Sequence, residues 1–309
     1  MSEEVKKTRS KKYEIDNVEV EVEEEQIEEK KEHPILMRIC LTIGAIFILF
    51  CIYSFIICPS LLKVREYKVE SNLLPSSFDG IKIVQLADIH YGTTINKKQL
   101  DKIVKRINEL NPDIIFFTGD LIDKNIVPTE TIQEEIIESL KNLNCSLYKY
   151  AVIGNEDDQE TFNNLMEQTN FIVLNNETKL LYYKDKTPIA ITGFNNISSN
   201  PVYSEINNPI DDIDVSTLYH IVIFHESDAI DSILEYNPNL VLTSATLGGK
   251  INFIKPLFLP DTADKYYEEY YRLNETDLYV SNGLGTTGVN IRFNNVPSFN
   301  FYRLYKEEN

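Results

Sequence analysis

The sequence predicts an α/β domain carried behind a single membrane-spanning helix. Three observations lead there. From about residue 62 onwards apolar strands alternate with helices; polar residues gather where the strands stop; and the segment from Ile39 to Ile57 carries no charge. Alternation of this kind is satisfied by sheets whose faces are covered by helices. About 20 apolar residues are what a helix needs to cross the hydrocarbon core.

Taken in order, residues 1–34 combine a basic patch, KKTRSKK, with an acidic run, EVEEEQIEEKKE. They lack a sustained apolar face, which predicts a solvated, disordered charged tail. Residues 35–58, ILMRICLTIGAIFILFCIYSFIIC, form the predicted transmembrane helix. The alternative is a buried core helix; a cleaved signal peptide is disfavoured because no small-x-small site follows. Lys30, Lys31 and Arg38 on one side balance Lys63, Arg65 and Lys68 on the other. The additional KKTRSKK tips the expected orientation towards a cytoplasmic N-terminus, placing the large domain outside the cell membrane.

Residues 62–309 form the predicted domain. IKIVQLA (81–87), IIFFTG (114–119), YAVIG (150–154), PIAITGF (188–194), YHIVIF (219–224) and NLVLTS (239–244) read as strands, and DLYVSNGLG and PSFNFYRLYK as closing strands. NKKQLDKIVKRINEL (96–110) repeats apolar residues at helical spacing and is stopped by NPD; TETIQEEIIESLKNL (129–143) is a second helix with Thr129 as N-cap. A further helix is expected after Ser227.

Composition narrows the function. With 309 residues, 43% hydrophobic and 25% charged, the chain is long enough to bury a large core in one or two domains. A net charge of −18 argues against nucleic acid as a partner, because phosphate-backbone binding needs clustered Lys and Arg. It leaves open a small phosphorylated ligand held by metal ions. Cys40, Cys51 and Cys58 lie in or beside the apolar segment, and Cys145 alone lies beyond it. The domain therefore has no internal disulfide and no cysteine zinc site, which fits a cytosolic or an exported location equally.

The strand ends carry Asp88-Ile89-His90, then Gly119-Asp120-Leu121-Ile122-Asp123, then Gly154-Asn155-Glu156-Asp157-Asp158, then His225, and finally Ser244-Ala245-Thr246-Leu247-Gly248-Gly249. Each alone has an ordinary explanation: a cap, a turn, a solvated acid pair or a satisfied strand-end histidine. Glu226 and Asp228 beside His225 would equally cap the next helix. Together, at the C-terminal ends of strands, they mark the usual place for an α/β site.

The order D-x-H, GDxxD, GN, lone His and a loop ending in GG resembles the calcineurin-like metallophosphoesterases over roughly residues 78–305. The closing NGLGTTGVNIRF resembles the end of a membrane-associated bacterial branch of that family. The resemblance implies a sandwich of two mixed β-sheets flanked by helices. It also implies a hydrolase in which two divalent ions about 3.5–4 Å apart clamp a phosphoryl group and activate a bridging water. By position Asp88 and His90 match ligands of one metal, Asp120 the bridging carboxylate, and Asn155 and His225 ligands of the second. Such a mixed set suits Mn, Fe or Zn better than Ca. Asp123 would stand behind the ligands or cap a helix.

The departures are as informative. Where the family has His after Gly-Asn, as general acid or leaving-group charge, this chain has Glu156. Where the family loop reads GHTHGG, with both histidines on metal, this chain reads SATLGG, so Ala245 and Leu247 replace a ligand of each ion. Glu156 would act as an acid if burial raised its pKa, or stay ionised as a ligand. Glu156, Asp157 or Glu226 would supply replacement oxygens in a rewired site, with Thr243, Ser244 or Thr246 as weak ones. Lys250 would supply positive charge or be a solvated loop lysine. The expectation is weak or partial occupancy by Mn, Fe or Zn in a pseudoenzyme or very weak phosphoesterase. The alternatives are an active rewired enzyme, acting on a phosphomonoester, phosphodiester or lipid pyrophosphate, and a membrane-anchored scaffold. The expected partners are the membrane, through the N-terminal helix, and a phosphorylated small molecule or lipid.

Overall fold

The computed structural model describes residues 5–15, 18–28, 34–195, 217–253, 256–260 and 263–307. Residues 1–51 and 52–309 form two compact units. In the first, β1 (Val5–Ile15) and β2 (Val18–Glu28) pair antiparallel. The register sets Arg9 opposite Glu24 and Lys12 opposite Glu21. A continuous helical stretch, Pro34–Ser60, is long and apolar enough to cross a membrane. It comprises α1 (Pro34–Ile52), a wide turn at Tyr53–Ile57 and α2 (Cys58–Ser60).

The second unit is built on two six-stranded sheets. Its first strands are β3 (Lys63–Ser71), β4 (Lys82–Leu86), β5 (Ile114–Phe117), β6 (Tyr148–Ala151) and β7 (Ile172–Val173). Strands β4 to β7 run parallel, and the last strand of the chain, β16 (Ser298–Lys306), lies antiparallel to β4 and parallel to β3. The other sheet contains β8 (Glu177–Leu181), β9 (Ile189–Gly193), β10 (His220–Glu226), β11 (Leu240–Ser244), β14 (Tyr270–Leu273) and β15 (Thr276–Val280). Here β9, β10, β11 and β15 are parallel and the edges β8 and β14 antiparallel. Both sheets are mixed, as the resemblance implied.

The side-chain period of two sorts each strand between two cores. Ile83, Ile114, Phe116, Ile221, Ile223, Leu240 and Leu242 pack between the sheets. Val84, Ile115 and Phe117 pack outward with Leu100, Ile136 and Phe162 of the covering helices α3 (Lys97–Asn108), α4 (Glu130–Lys141) and α5 (Gln159–Gln168). Val222, Phe224 and Val241 face out from the other sheet. Gln85 crosses the sandwich, donating to Thr118 Oγ1 at 3.1 Å and to the Thr243 carbonyl at 2.8 Å.

Thr129 caps α4 as expected, and Asn96 with Gln99 forms a capping box on α3. Strands β3, β8 and β14 and helix α5 extend the sequence reading. The expected helix after Ser227 is instead two short 3₁₀ turns, Ser227–Ser232 and Leu234–Tyr236. Asp228 caps no helix there; it accepts the amide N–H groups of Asp264, Lys265 and Tyr266. The strand expected over DLYVSNGLG ends at Val280, where Asn282 and Gly283 turn back towards the site.

His220 shows what the core demands of a polar side chain. It is buried in β10, its Nε2 lies 2.8 Å from Thr192 Oγ1, and burial pushes its pKa from 6.5 down to about 4. The unfolded chain therefore binds this proton first, and the stability held by a neutral His220 is lost as pH falls from about 6.5 towards 4. In thermal unfolding of the detergent-solubilised chain, the difference between wild type and His220→Gln should change in the variant's favour across that window. Parallel pH curves would show that His220 titrates normally.

Candidate active site

The site is assembled where β4, β5, β6, β10 and β11 end. Asp88 and His90 follow β4, and Asp120 follows β5. All three take left-handed backbone, with φ of 51°, 44° and 59°. That geometry lets amides re-engage the neighbouring strand end: Asp88 N donates to Gly119 O at 2.9 Å and His90 N to Asp120 O at 3.1 Å. Two glycines make room. A Cβ on Gly154 would collide with the Asp120 carboxylate, and one on Gly119 with the Gly154 backbone and the His225 ring. His225 is placed by a bulge: Ile223 pairs with Leu242 but Glu226 with Ser244, so β10 gains a residue there.

Asp88, Asp120 and His225 converge with one ligand atom each within 4.8 Å of the others. His225 Nε2 lies 3.2 Å from Asp120 Oδ2 and 4.0 Å from Asp88 Oδ1. His225 Nδ1 is 2.6 Å from the Thr118 carbonyl, which also accepts from Ser244 Oγ. A carbonyl can only accept, so Nδ1 carries a proton; burial opposes a charge on the ring, but Asp120 and Asp88 outweigh it and hold the His225 pKa well above its ordinary value, and a cation at Nε2 would take the place of the second proton, as at a metal-ligating histidine. Both Asp88 oxygens and His225 Nε2 are buried without a hydrogen-bond partner.

The electrostatics agree. Burial pushes the Asp88 carboxyl up to about 8, with His225 pulling the other way. Burial also acts to raise Asp120, but His225 and His90 outweigh it and hold Asp120 down at about 2. A cation in the cluster would relieve the cost of ionising Asp88. Neither carboxylate is ion-paired with Lys or Arg among the described residues; buried Arg292 acts on Asp88 only through its field. The residues present therefore fit a divalent cation.

Around it lies a second group, His90, Asp123 and Glu156, also able to bring three ligand atoms within 4.8 Å. His90 Nδ1 is 3.5 Å from Glu156 Oε2, and His90 Nε2 is 3.8 Å from Asp120 Oδ2, so His90 joins the two groups. Glu156 is ion-paired with Lys124 at 2.6 Å and accepts from Thr287. That pairing suits a ligand or charge partner better than a proton donor. Asp123 accepts from Asn125 and from the Gly288 amide. A cavity of about 200 Å³ opens beside Glu156 and Lys124, walled by Leu121, Ile126, Pro128 and Phe162.

Of the residues singled out in the sequence, Asp88, His90, Asp120 and His225 are brought together and buried, and Glu156 stands beside them. Asn155, expected as a ligand, is instead exposed on the turn after β6. The turn is gripped from inside by Asp157, which accepts the amides of Asp120, Leu121 and Gly154. Asp157 is thus committed to backbone and offers no spare oxygen. Asp158 caps α5 through the Thr161 amide. Glu226 is buried next to His225. Lys250 is neither free nor at the cluster: its Nζ donates to the Thr287 carbonyl.

The loop after β11 is a tight turn. Ala245 and Leu247 are buried at φ 67° and 49°, conformations that cost a non-glycine residue about 1 kcal/mol or more each. Asn295 holds the turn by donating to the carbonyls of Leu247 and Gly249, and Arg292 donates to those of Asn282 and Gly285 on the facing loop. Sequence reasoning missed Arg292, Asn295, Lys124 and the clamping role of Asp157. The NIRF string was visible, but nothing in it signalled that its arginine would be buried.

This geometry defines a metal-dependent phosphoesterase scaffold, and comparison with known proteins agrees. A profile of calcineurin-like phosphoesterases matches residues 81–281. The chain is 32% identical over 253 residues to the metallophosphoesterase YkuE of Bacillus subtilis, covering 80% of this chain and 86% of that one. It is 27% identical to a transmembrane protein with metallophosphoesterase domain of Danio rerio, covering 74% of this chain and 54% of that protein. Over 106 residues it is 34% identical to the UDP-2,3-diacylglucosamine pyrophosphatase LpxG of Chlamydia trachomatis, covering 32% of this chain and 29% of that protein. The chain belongs to the calcineurin-like phosphoesterases.

The Asp157 clamp is testable. Asp157→Ala strips the partner from three buried amides and should destabilise the domain by about 3 kcal/mol. A shift in the unfolding midpoint no larger than that of an exposed control such as Glu160→Ala would contradict the clamp.

Proposed function

We propose that this chain is a membrane-anchored phosphoesterase-fold protein that holds one divalent cation at Asp88, Asp120 and His225 and hydrolyses phosphoesters very weakly or not at all. One observation carries the reading. The buried cluster leaves both Asp88 oxygens and His225 Nε2 without partners, as a cation site requires, while the loop that should complete it presents Ala245 and Leu247. Mn, Fe or Zn fits the mixed Asp and His donors. When bound, the cation would polarise a phosphoryl oxygen and lower the pKa of water. Asp120 would neutralise its charge, Thr118 O would keep the His225 tautomer fixed, and Lys124 and Thr287 would orient Glu156 at the rim.

The apolar Pro34–Ser60 helix supports anchoring, and the basic KKTRSKK supports a cytoplasmic N-terminus with the domain outside. A phosphorylated lipid is the ligand class that suits an anchored site, and the relative that acts on UDP-2,3-diacylglucosamine supports it. A rewired enzyme is the second reading, favoured by the His90, Asp123 and Glu156 group as a replacement second site.

Elemental analysis of the full chain purified without chelator should find close to one Mn, Fe or Zn, lost in Asp120→Asn. Hydrolysis of bis-p-nitrophenyl phosphate with added Mn should be negligible. Ala245→His with Leu247→His should raise bound metal, because the backbone already holds the required conformation, and should raise hydrolysis by about 10-fold or more. Two metals per chain with Asp120-dependent turnover in the wild type would establish the rewired enzyme instead.

A further inference from the structure

Four large apolar side chains remain exposed in two segments that hydrogen bonds connect: Phe253 at 62%, Leu257 at 45%, Phe258 at 67% and Val289 at 60%. Phe253 and Leu257 belong to a small hairpin in which β12 (Ile251–Asn252) pairs with β13 (Pro256–Leu257). Phe258 follows it with φ 64°, so a bulky residue is both exposed and in left-handed backbone, two conditions that are unfavourable in water. The hairpin is tied to the loop that bears Val289: Asn252 N donates to Phe293 O at 2.9 Å, and Phe293 N donates to Lys250 O at 3.0 Å.

The same loop receives the end of the apolar helix. The Phe293 ring stands edge-on to Tyr53 with centroids 5.7 Å apart, and packs on Phe253 at 4.9 Å. Arg292 N donates to Ser54 O at 3.0 Å. Ser54 and Cys58, one turn apart and therefore on one helix face, are fully buried. Tyr53 precedes Ile57 by about one helical turn, or about 5–6 Å along the axis. The charge-free run ends at Leu62, before Lys63, and Tyr53 lies near the end of the roughly 20 residues that a crossing needs when counted from Pro34, so what touches Tyr53 lies close to the membrane interface, where tyrosine itself is favoured.

We propose that Phe253 after β12, Leu257 and Phe258 at the end of β13, and the Val289–Phe293 segment form a lipid-bilayer contact surface, with Phe253, Leu257, Phe258 and Val289 entering the interface of the membrane that the Pro34–Ser60 helix crosses. The proposal rests on the anchored reading above and extends it. Charge-free aromatic and aliphatic side chains suit the headgroup–acyl boundary, and no search in space is needed because the helix delivers this face to it. The surface begins immediately after Gly249 and Lys250. The candidate cation site is therefore approached along the bilayer, where phosphate headgroups are presented.

The chain contains no tryptophan, so a single introduced one is a clean depth reporter. The full chain would be reconstituted in phosphatidylcholine vesicles and in dibrominated phosphatidylcholine vesicles, whose acyl bromines quench indole fluorescence. Phe253→Trp and Phe258→Trp report the proposed surface, and Phe47→Trp reports the helix. Tyr148→Trp, at the start of β6 and the opposite strand end from the site, reports water. Phe47→Trp, Phe253→Trp and Phe258→Trp should each lose about half or more of their emission in brominated lipid, with Tyr148→Trp unchanged. Quenching of Phe47→Trp alone would overturn the surface while leaving the anchor, and would point to a protein partner for this face. No quenching of Phe47→Trp would overturn the anchor, and the surface with it.

Discussion

Two carboxylates buried side by side, Asp88 and Asp120, impose the condition that the rest of the domain meets. Each sits at the C-terminal end of a parallel strand, out of water and close to the other, an arrangement whose electrostatic cost is large unless positive charge is supplied. The surroundings are organised around that cost. The bulge in β10 delivers His225 against both acids, the Thr118 carbonyl sets its tautomer, and the Glu156 amide donates to Asp120. Glycines at 119 and 154 allow the backbones to close in. Asp88 is still left without a hydrogen bond, and that residual demand is what makes a cation the natural occupant.

The SATLGG loop shows a turn whose shape is set by its neighbours. Ala245 and Leu247 bring no donor atoms, yet they remain in left-handed backbone because Asn295 and the Arg292-bearing loop hold the surrounding carbonyls. Conformation here is specified from outside the loop. The same Arg292 segment meets the end of the apolar helix at Ser54. One short stretch thereby links the turn of the site to the end of the apolar helix.

Much of the architecture was legible in the residues. Period-two apolar runs placed the strands, helical spacing placed α3 and α4, and Thr129 announced its own cap, because each signal is local and repeats within a few residues. Errors arose where the deciding partner was distant. Asp228 resembled a helix cap but is held by amides at 264–266. Asn155 shared the motif position of a ligand but lies exposed, because Asp157 draws the adjacent amides inward instead.

By itself the sequence determined the α/β alternation, the apolar span, the strand-end motifs and the replacement of two ligand histidines, since all of these are matters of residue type at short spacing. Only the tertiary structure decided which acids are left without partners and which are committed to backbone, that Glu156 is matched by Lys124, and that Phe293 meets both Phe253 and Tyr53 at the end of the helix. Those outcomes depend on residues tens to hundreds of positions apart meeting at one point, and no local pattern carries that information.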